Sequence, residues 1–228
     1  NLNATVSFCA TSKVHFKILE VKYDTIEAAF FQISPIIQSG ILKKNFIESS
    51  SLDSVTNVYN RNYLIENLTT HLRLSNNTQN EIYFLMIGID HFKAVIDEFD
   101  YDVADKVLIE LAKVIHSNIN EFDMVGRLNG DEFLVSILNT TGEYQVEEVA
   151  KKIISDFTEI SILINEEKKQ YLKKTICIGF ETYRLHSDIT ITECIKNADI
   201  ALYEAKNRGR SQFFKFSELS AEDTIDLF

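Results

Sequence analysis

The amino-acid sequence predicts an α/β (α+β) domain in which helices cover a mixed β-sheet. Segments with helical spacing and segments with strand spacing alternate along most of the chain. The run from Ile82 to Ile89 is continuously apolar, which is typical of a central strand that is covered on both faces. Asn129-Gly130 lies between two apolar runs and is a strong hairpin signal, because both residue types accept a positive φ.

Composition limits the classes of function. With 228 residues, 45% of them apolar and 25% charged, the chain has room for one large or two small domains. The 34 acidic and 23 basic side chains give a net charge of -11, which argues against nucleic acid as a partner. Cys9, Cys177 and Cys194 have no disulfide or zinc spacing and indicate a reducing cytoplasm.

The first fifty residues have a pattern of their own and predict the end of an upstream sensor domain with a linker. Apolar and polar residues alternate from Val14 to Ile18, which predicts a half-buried strand. A helix is then predicted from an Asp24 cap, and Pro35 should end or kink it near Ser34. The apolar runs are far shorter than the roughly 20 residues that span a bilayer, and membrane attachment of a longer protein stays open.

Residues 51–217 are predicted to form one domain, followed by an acidic tail over residues 218–228. Apolar spacing favours helices over 61–72, 103–119, 143–157 and 192–207, and strands over 82–90, 175–183 and 212–216, with a hairpin around residue 130. Helices that interleave with strands in this order predict the mixed sheet with its helical cover.

Acidic residues follow the predicted central strand and lie beside the predicted hairpin. Asp90 ends the strand, and Asp131 and Glu132 adjoin the turn, so together they could form a cradle for a divalent cation. Phosphoryl transfer is the reaction class that this chemistry suggests. The bases Lys93, Lys206 and Arg210 could hold phosphates. Solvated turn acids and helix-end cations are the simpler alternative, and spacing alone favours that alternative.

Five segments, in their order and spacing, resemble the GGDEF family, the diguanylate cyclases. The resemblance implies a central five-stranded sheet wrapped by helices, like the palm of adenylyl cyclases. It also implies condensation of two GTP molecules into cyclic di-GMP and pyrophosphate, with Mg²⁺ (or Mn²⁺), across a dimer whose subunits each supply half the site. The segments lie within residues 52–216 and read DSVTNVYNRNYL, IDHFKAVIDEF, GRLNGDEF, TICIGF and ADIALYEAKNRGR.

The resemblance implies roles for individual residues. Asp131 matches a metal ligand, and Glu132 matches an acid assigned to metal binding or to activation of the attacking hydroxyl. The backbone of Ile89 matches a further metal ligand. Asp105 matches one of two guanine-reading positions. The remaining matches are Asn129 and Gly130 at the nucleotide-facing turn, and Lys93, Lys206 and Arg210 at phosphate-binding positions.

Four positions depart from the family pattern. Gly88 stands where the first acid of the strand-end motif is expected, and Ile96 stands where an asparagine would read guanine. Asn129 replaces the first glycine of the signature, and Asn120 stands where an inhibitory product site has an arginine. Asp90 should point to the same face as Gly88, displaced by about 7 Å, so it could hold an ion only after a local shift.

These departures favour a GGDEF domain with weak or no cyclase activity that acts as a regulatory, nucleotide-binding or dimerising module. Its expected ligand is GTP or a related guanine nucleotide, and its expected partner is a second copy or another GGDEF domain. The rival hypothesis is an active diguanylate cyclase, which the retained Lys93, Lys206 and Arg210 favour. A third hypothesis is a structural domain that neither binds nor converts nucleotide.

Overall fold

The structure is a computed structural model that describes residues 12–25, 27–28, 31–35, 39, 51–74, 81–138, 142–184 and 189–219. The chain divides into two compact units, residues 1–50 and residues 51–228. Among the described helices, none combines the length and the apolar character needed to cross a membrane.

The first unit contains helix α1, Lys13–Val21, where the sequence predicted a strand. That prediction was wrong because two spacings coincide in this short segment. Val14, Phe16 and Ile18 alternate with polar residues only briefly, whereas Val14, Ile18 and Val21 recur at i, i+4 and i+7, which is helical spacing. Their side chains are largely exposed in the helix.

Further helical residues lie at 23–25, 27–28 and 31–35. Asp24 therefore lies inside helical structure and does not cap its start, so that prediction was wrong. Ser34 and Pro35 are both helical, so the helix does not end at Ser34, and residues 36–38 lie outside the described residues. The predicted acidic tail is described only to residue 219.

The second unit is built on a mixed sheet, which confirms the predicted fold class. Within the described residues the sheet has six strands rather than five, in the order β1-β3-β4-β2-β7-β8. The extra strand is the two-residue β1, which pairs parallel to β3 at one edge. A separate hairpin, β5–β6, has no counterpart among the predicted elements. The strands are β1 Tyr59–Asn60, β2 Glu81–Ile89, β3 Met124–Asn129, β4 Glu132–Ile137, β5 Ile162–Asn165, β6 Gln170–Leu172, β7 Ile176–Arg184 and β8 Phe213–Lys215.

Helices cover both faces of the sheet. The described helices of this unit are α2 Arg61–Leu74, α3 Phe92–Phe99, α4 Tyr101–Asn118, α5 Glu143–Glu159 and α6 Ile191–Asn207. Side chains of α3, α4 and α5 share one core cluster with Leu85 and Ile87 of β2. Side chains of α2 and α6 share a second cluster with Phe84 and Met86. Alternate residues of β2 thus serve two cores, as the continuous apolar run predicted.

Helix α6 lies directly on the sheet because β7 carries a glycine beneath it. A Cβ atom on Gly179 would fall 1.9 Å from the carbonyl oxygen of Ala198 and 2.2 Å from the backbone nitrogen of Leu202. A capping box between Thr190 and Glu193 fixes the start of the helix. The C-terminal half of α6 is thereby held over the end of β2.

The hairpin between β3 and β4 lies where the sequence placed it, but its turn is shifted by one residue. Asn129 pairs with Glu132, so the two turn residues are Gly130 and Asp131. Gly130 has a φ of 45°, whereas Asn129 keeps a strand conformation. The predicted turn with positive φ at both Asn129 and Gly130 was therefore wrong. A bulge between Arg127 and Asn129 changes the register and moves the turn.

Candidate functional site

The turn of the β3–β4 hairpin lies against the end of strand β2. Glu132 pairs with Gly88 across the sheet. One residue earlier, Asp131 accepts a hydrogen bond from the backbone N–H of Ile89, with 2.9 Å between Oδ2 and nitrogen. The sheet thus brings Asp131, Glu132, Gly88 and Ile89 together, as the sequence motifs implied.

The ammonium group of Lys206 lies over Gly88. A Cβ atom on Gly88 would fall 2.7 Å from Nζ and 3.1 Å from Cε of Lys206, and 3.2 Å from Cδ2 of Leu202. The same Nζ is 3.9 Å from Oδ2 of Asp131. Helical side chains lean toward the N-terminus of their helix, which brings Lys206 back over Leu202 and onto the strand end. The lysine therefore occupies the space that a side chain at position 88 would use.

Asp199 is an acidic neighbour of the hairpin that sequence reasoning missed. Burial raises the pKa of Glu132, and the charges of Asp199 and Asp131 raise it further, while a hydrogen bond from Asn129 and the charge of Lys206 lower it. Partial desolvation raises the pKa of Asp199, and Lys206 again acts in the opposite direction. Asp199 and Lys206 are seven residues apart on α6, a helical spacing that could have identified the pair.

Asp90 faces the side of the sheet that was expected, but its carboxylate accepts hydrogen bonds from neighbouring protein groups. It is 2% exposed, and its Oδ2 accepts hydrogen bonds from Thr175 Oγ1 at 2.6 Å and from the Ser211 backbone N–H at 3.2 Å. Its Oδ1 accepts one from Cys177 Sγ at 3.2 Å, and burial, together with this contact, raises the pKa of that thiol to about 11. Asp90 thus ties the end of β2 to β7 and to the segment after α6.

The other expected ligand-binding residues lie on α3, on α4 and after α6. Lys93 is exposed on α3, and Asp105 lies near the start of α4. Arg210 follows α6 with a φ of 62° and donates its backbone N–H to Ala205 at 3.1 Å. Within the described part of the chain, no hydrogen bond or ion pair joins these three side chains to Asp131.

An arginine braces the hairpin from outside, which sequence reasoning also missed. Arg127 Nε donates to the carbonyl oxygen of Gly130 at 2.9 Å, and its Nη1 is 3.1 Å from Oδ1 of Asp53. Although burial acts to raise the pKa of Asp53, hydrogen bonds from Thr56 and Arg127 outweigh it and leave that pKa below its usual value. The turn that carries Asp131 is therefore anchored to the segment before β1.

At the position of the family's inhibitory product site, the Asp123 side chain forms hydrogen bonds within the protein. Oδ2 of Asp123 accepts from the backbone N–H of Asn120 at 2.9 Å, and its Oδ1 accepts from the backbone N–H of Leu138 at 3.0 Å. Asn120 offers no charge that could replace an arginine. The expectation that product feedback is lost at this position stays a prediction.

The residues at the strand end do not fit a two-ion magnesium site. Among the described residues, no three His, Cys, Asp or Glu side chains are grouped so that they could hold a metal ion. Gly88 offers no side-chain oxygen ligand, and the space beside it holds the Lys206 ammonium. Asp90 is committed to Thr175, Cys177 and Ser211.

The family described as "Diguanylate cyclase, GGDEF domain" matches residues 50–212. This chain belongs to the GGDEF family. The family resemblance read from the sequence motifs is therefore confirmed, and the fold of its relatives agrees with the mixed sheet described above.

Relatives and solved structures place this GGDEF domain among cyclase-like proteins. It is 31% identical over 183 residues to diguanylate cyclase A of Treponema denticola, which covers 79% of this chain and 48% of that protein. The GGDEF domain of TpbB from Pseudomonas aeruginosa superposes with a TM-score of 0.68 at 28% identity, over 77% of this chain and 98% of that one. The active GGEEF domain of a diguanylate cyclase from Vibrio cholerae gives a TM-score of 0.61 at 28% identity, over 71% and 98%. The chain spans about half the length, or less, of the curated relatives it matches.

Proposed function

We propose that this GGDEF domain has weak or no cyclase activity and serves as a regulatory module that binds a guanine nucleotide or dimerises. The observation that carries the proposal is Gly88, which pairs with Glu132 at the end of β2 and has no side chain that could supply the ion-binding carboxylate of the family pattern.

The reaction itself explains why this change matters most. In-line transfer with two metal ions needs carboxylates that position the ions beside the attacking and leaving oxygens. Asp131 and Glu132 are in place on the hairpin, but the strand end contributes no second anchor. Ile96 adds a smaller loss of nucleotide-binding free energy, since it cannot form a hydrogen bond with guanine and an unpaired guanine edge costs about 1 to 3 kcal/mol.

The proposed ligand set uses the groups that remain. Asp131 and Glu132 would contact the nucleotide, and Gly130 and Asn129 would line it at the turn. Any Mg²⁺ or Mn²⁺ would enter the site bound to the nucleotide. Asp105 would meet the guanine base. The cations proposed to hold the phosphates are Lys93, Lys206 and Arg210. The module would act in a cytoplasmic signalling protein, in contact with a second copy or with another GGDEF domain.

An active cyclase remains the second candidate, because the hairpin geometry favours it. Asp131 accepts a hydrogen bond from the Ile89 nitrogen at 2.9 Å, and Arg127 donates one to Gly130. The turn of the β3–β4 hairpin is therefore held in one position, as an active site would require. A structural domain without nucleotide binding is the third candidate.

Two measurements on the full chain separate these candidates. Calorimetry with GTP measures binding, and chromatography after incubation with GTP and Mg²⁺ or Mn²⁺ measures cyclic di-GMP. We expect GTP to bind and little or no cyclic di-GMP to form. Clear synthesis by the unmodified chain would reject the proposal in favour of the cyclase, and absence of GTP binding would leave the structural or purely dimerising role.

Restoring the missing carboxylate sharpens the result. Gly88→Asp should give partial synthesis, because nucleotide phosphates can draw Lys206 away from the strand end. Gly88→Ala is the matched control, since it adds the same Cβ next to Lys206 without an oxygen ligand. Equal activity of the two variants would show that the missing anchor is not what limits the reaction.

A further inference from the structure

We propose that the ring of Tyr101 stacks on the base of the bound nucleotide and makes up for the hydrogen bond that Ile96 cannot form. The inference rests on the proposed function, and it deepens that function because it names the side chain that holds the base beside Asp105.

Tyr101 lies on the same face of α4 as the proposed base-reading residue. It is the first residue of the helix, and Asp105 follows it by four positions, so the two side chains are neighbours. Helical side chains lean toward the N-terminus, which brings the Asp105 carboxylate toward the ring. Val103 and Ala104 are buried between them, whereas Tyr101 is 72% exposed. A base that is hydrogen-bonded to Asp105 therefore lies within reach of the ring.

The ring of Tyr101 is available to a flat ligand. Among the described residues, the ring–ring and cation–π contacts all involve other aromatic side chains. A single exposed aromatic residue is common on protein surfaces, so exposure alone does not indicate a ligand. The backbone that precedes the ring provides an independent reason.

The residue before Tyr101 has a strained backbone. Asp100 has a φ of 112° and a ψ of -179°, a conformation that is essentially restricted to glycine. Gly142 holds the same position before α5, with a φ of 153° and a ψ of 169°. The chain thus starts α5 with a glycine and α4 with an aspartate in a glycine-type conformation. Backbone strain of this kind clusters at ligand-binding sites.

Asp100 joins the two helices that carry the base-reading positions. Its backbone N–H donates to the carbonyl oxygen of Ile96 at 3.2 Å. Its Oδ1 accepts from the N–H of Val103 at 3.1 Å, and its carbonyl oxygen accepts from the N–H of Ala104 at 3.2 Å. These bonds fix the first turn of α4 and with it the backbone of Tyr101. A contact residue that is positioned before the ligand arrives loses less freedom on binding, which favours affinity.

Stacking has the magnitude that the proposal needs. Removal of an aromatic side chain that stacks on a base weakens binding about fivefold to 100-fold, which is similar to the effect of losing one base-edge hydrogen bond. Stacking tolerates every base, because each base has a π-face. Tyr101 therefore restores affinity for a purine nucleotide without restoring the preference for guanine over adenine that Ile96 forgoes.

Calorimetry with GTP on the full chain tests the contact. We expect Tyr101→Ala to bind GTP about fivefold to 100-fold more weakly, and Tyr101→Phe to bind as the unmodified chain does, since it keeps the ring. Tyr144 of α5 is 71% exposed and also lies in the first turn of its helix, so Tyr144→Ala is the matched control and should leave the affinity unchanged. Unchanged GTP affinity in Tyr101→Ala would overturn the proposal.

Tyrosine fluorescence gives a readout that a purely structural role would not change. The chain has no tryptophan, so its emission comes from its nine tyrosines. A guanine base that stacks on Tyr101 should quench part of this emission, and Tyr101→Phe should lose that part of the quenching while it still binds GTP. Tyr144→Phe should keep it. Equal quenching in Tyr101→Phe and the unmodified chain would contradict stacking on this ring.

The two proposals fail in different ways. If Tyr101→Ala and the unmodified chain bind GTP equally well, the stacking contact is wrong and nucleotide binding stands. If the unmodified chain binds no GTP, both the stacking contact and nucleotide binding are wrong.

Discussion

Two glycines face helix α6 from neighbouring strands, and they differ in what lies above them. Gly179 of β7 is covered by the helix backbone, with Ala198 oxygen 1.9 Å from the position of an added Cβ. Gly88 of β2 is covered by the end of a flexible side chain, Lys206 Nζ, at 2.7 Å. The first glycine is therefore a requirement of the fold, and the second is a position where a larger side chain can be accommodated.

This difference separates folding from chemistry at the same helix. The close approach at Gly179 holds α6 on the sheet in a way that does not depend on which charges lie at its C-terminal end. A site residue at position 88 can thus be lost while the fold is kept. The residue at position 88 and the packing of α6 at Gly179 can therefore vary independently of each other.

Gly179→Ala should produce the largest effect. Because backbone cannot move away as a side-chain end can, the added methyl group forces α6 off the sheet, and we expect a loss of about 3 kcal/mol or more in the free energy of unfolding. Denaturant unfolding followed by circular dichroism measures the loss. A change below about 1 kcal/mol would mean that α6 is not held as closely as the distances indicate.

Most of this fold could be predicted from local patterns. The central strand, the hairpin and the four long helices follow from apolar spacing, because each long helix packs on one of the two core clusters and the strands contribute side chains to both. Prediction failed where two periods fit the same few residues, as from Val14 to Ile18, and where a bulge moved the turn at Asn129.

The candidate site was predicted only in part. Sequence motifs brought Asp131, Glu132 and Lys206 to one place, since each belongs to a recognisable segment. They could not show that Lys206 rests on Gly88 or that Asp90 turns into the protein, because both outcomes depend on how closely α6 and β7 pack. Contacts of this kind join elements that are far apart in the chain, so no local pattern in the sequence predicts them.

Asp90→Ala should have an intermediate effect on the free energy of unfolding. It tests whether the two ends of α6, near Gly179 and near Gly88, are held separately. The change leaves the Thr175 hydroxyl and the Ser211 N–H without their buried acceptor, which costs about 2 kcal/mol in the free energy of unfolding. It also releases the segment after α6, so faster hydrogen exchange is expected at the C-terminal end of the helix than near Gly179. Uniform acceleration along α6 would contradict separate control of the two ends.

Gly88→Ala should have the smallest effect and tests the comparison most directly. The new methyl group meets Lys206 Nζ and Cε and, at 3.2 Å, Leu202 Cδ2, and all of these are side-chain atoms that can shift by a few tenths of an ångström. We expect the free energy of unfolding to change by less than about 1 kcal/mol, because a partly exposed ion pair such as Lys206–Asp131 contributes little. Denaturant unfolding beside Gly179→Ala gives the measurement. A loss as large as that of Gly179→Ala would mean that Lys206 is locked in place, so that position 88 could not have carried a carboxylate without rebuilding the end of α6.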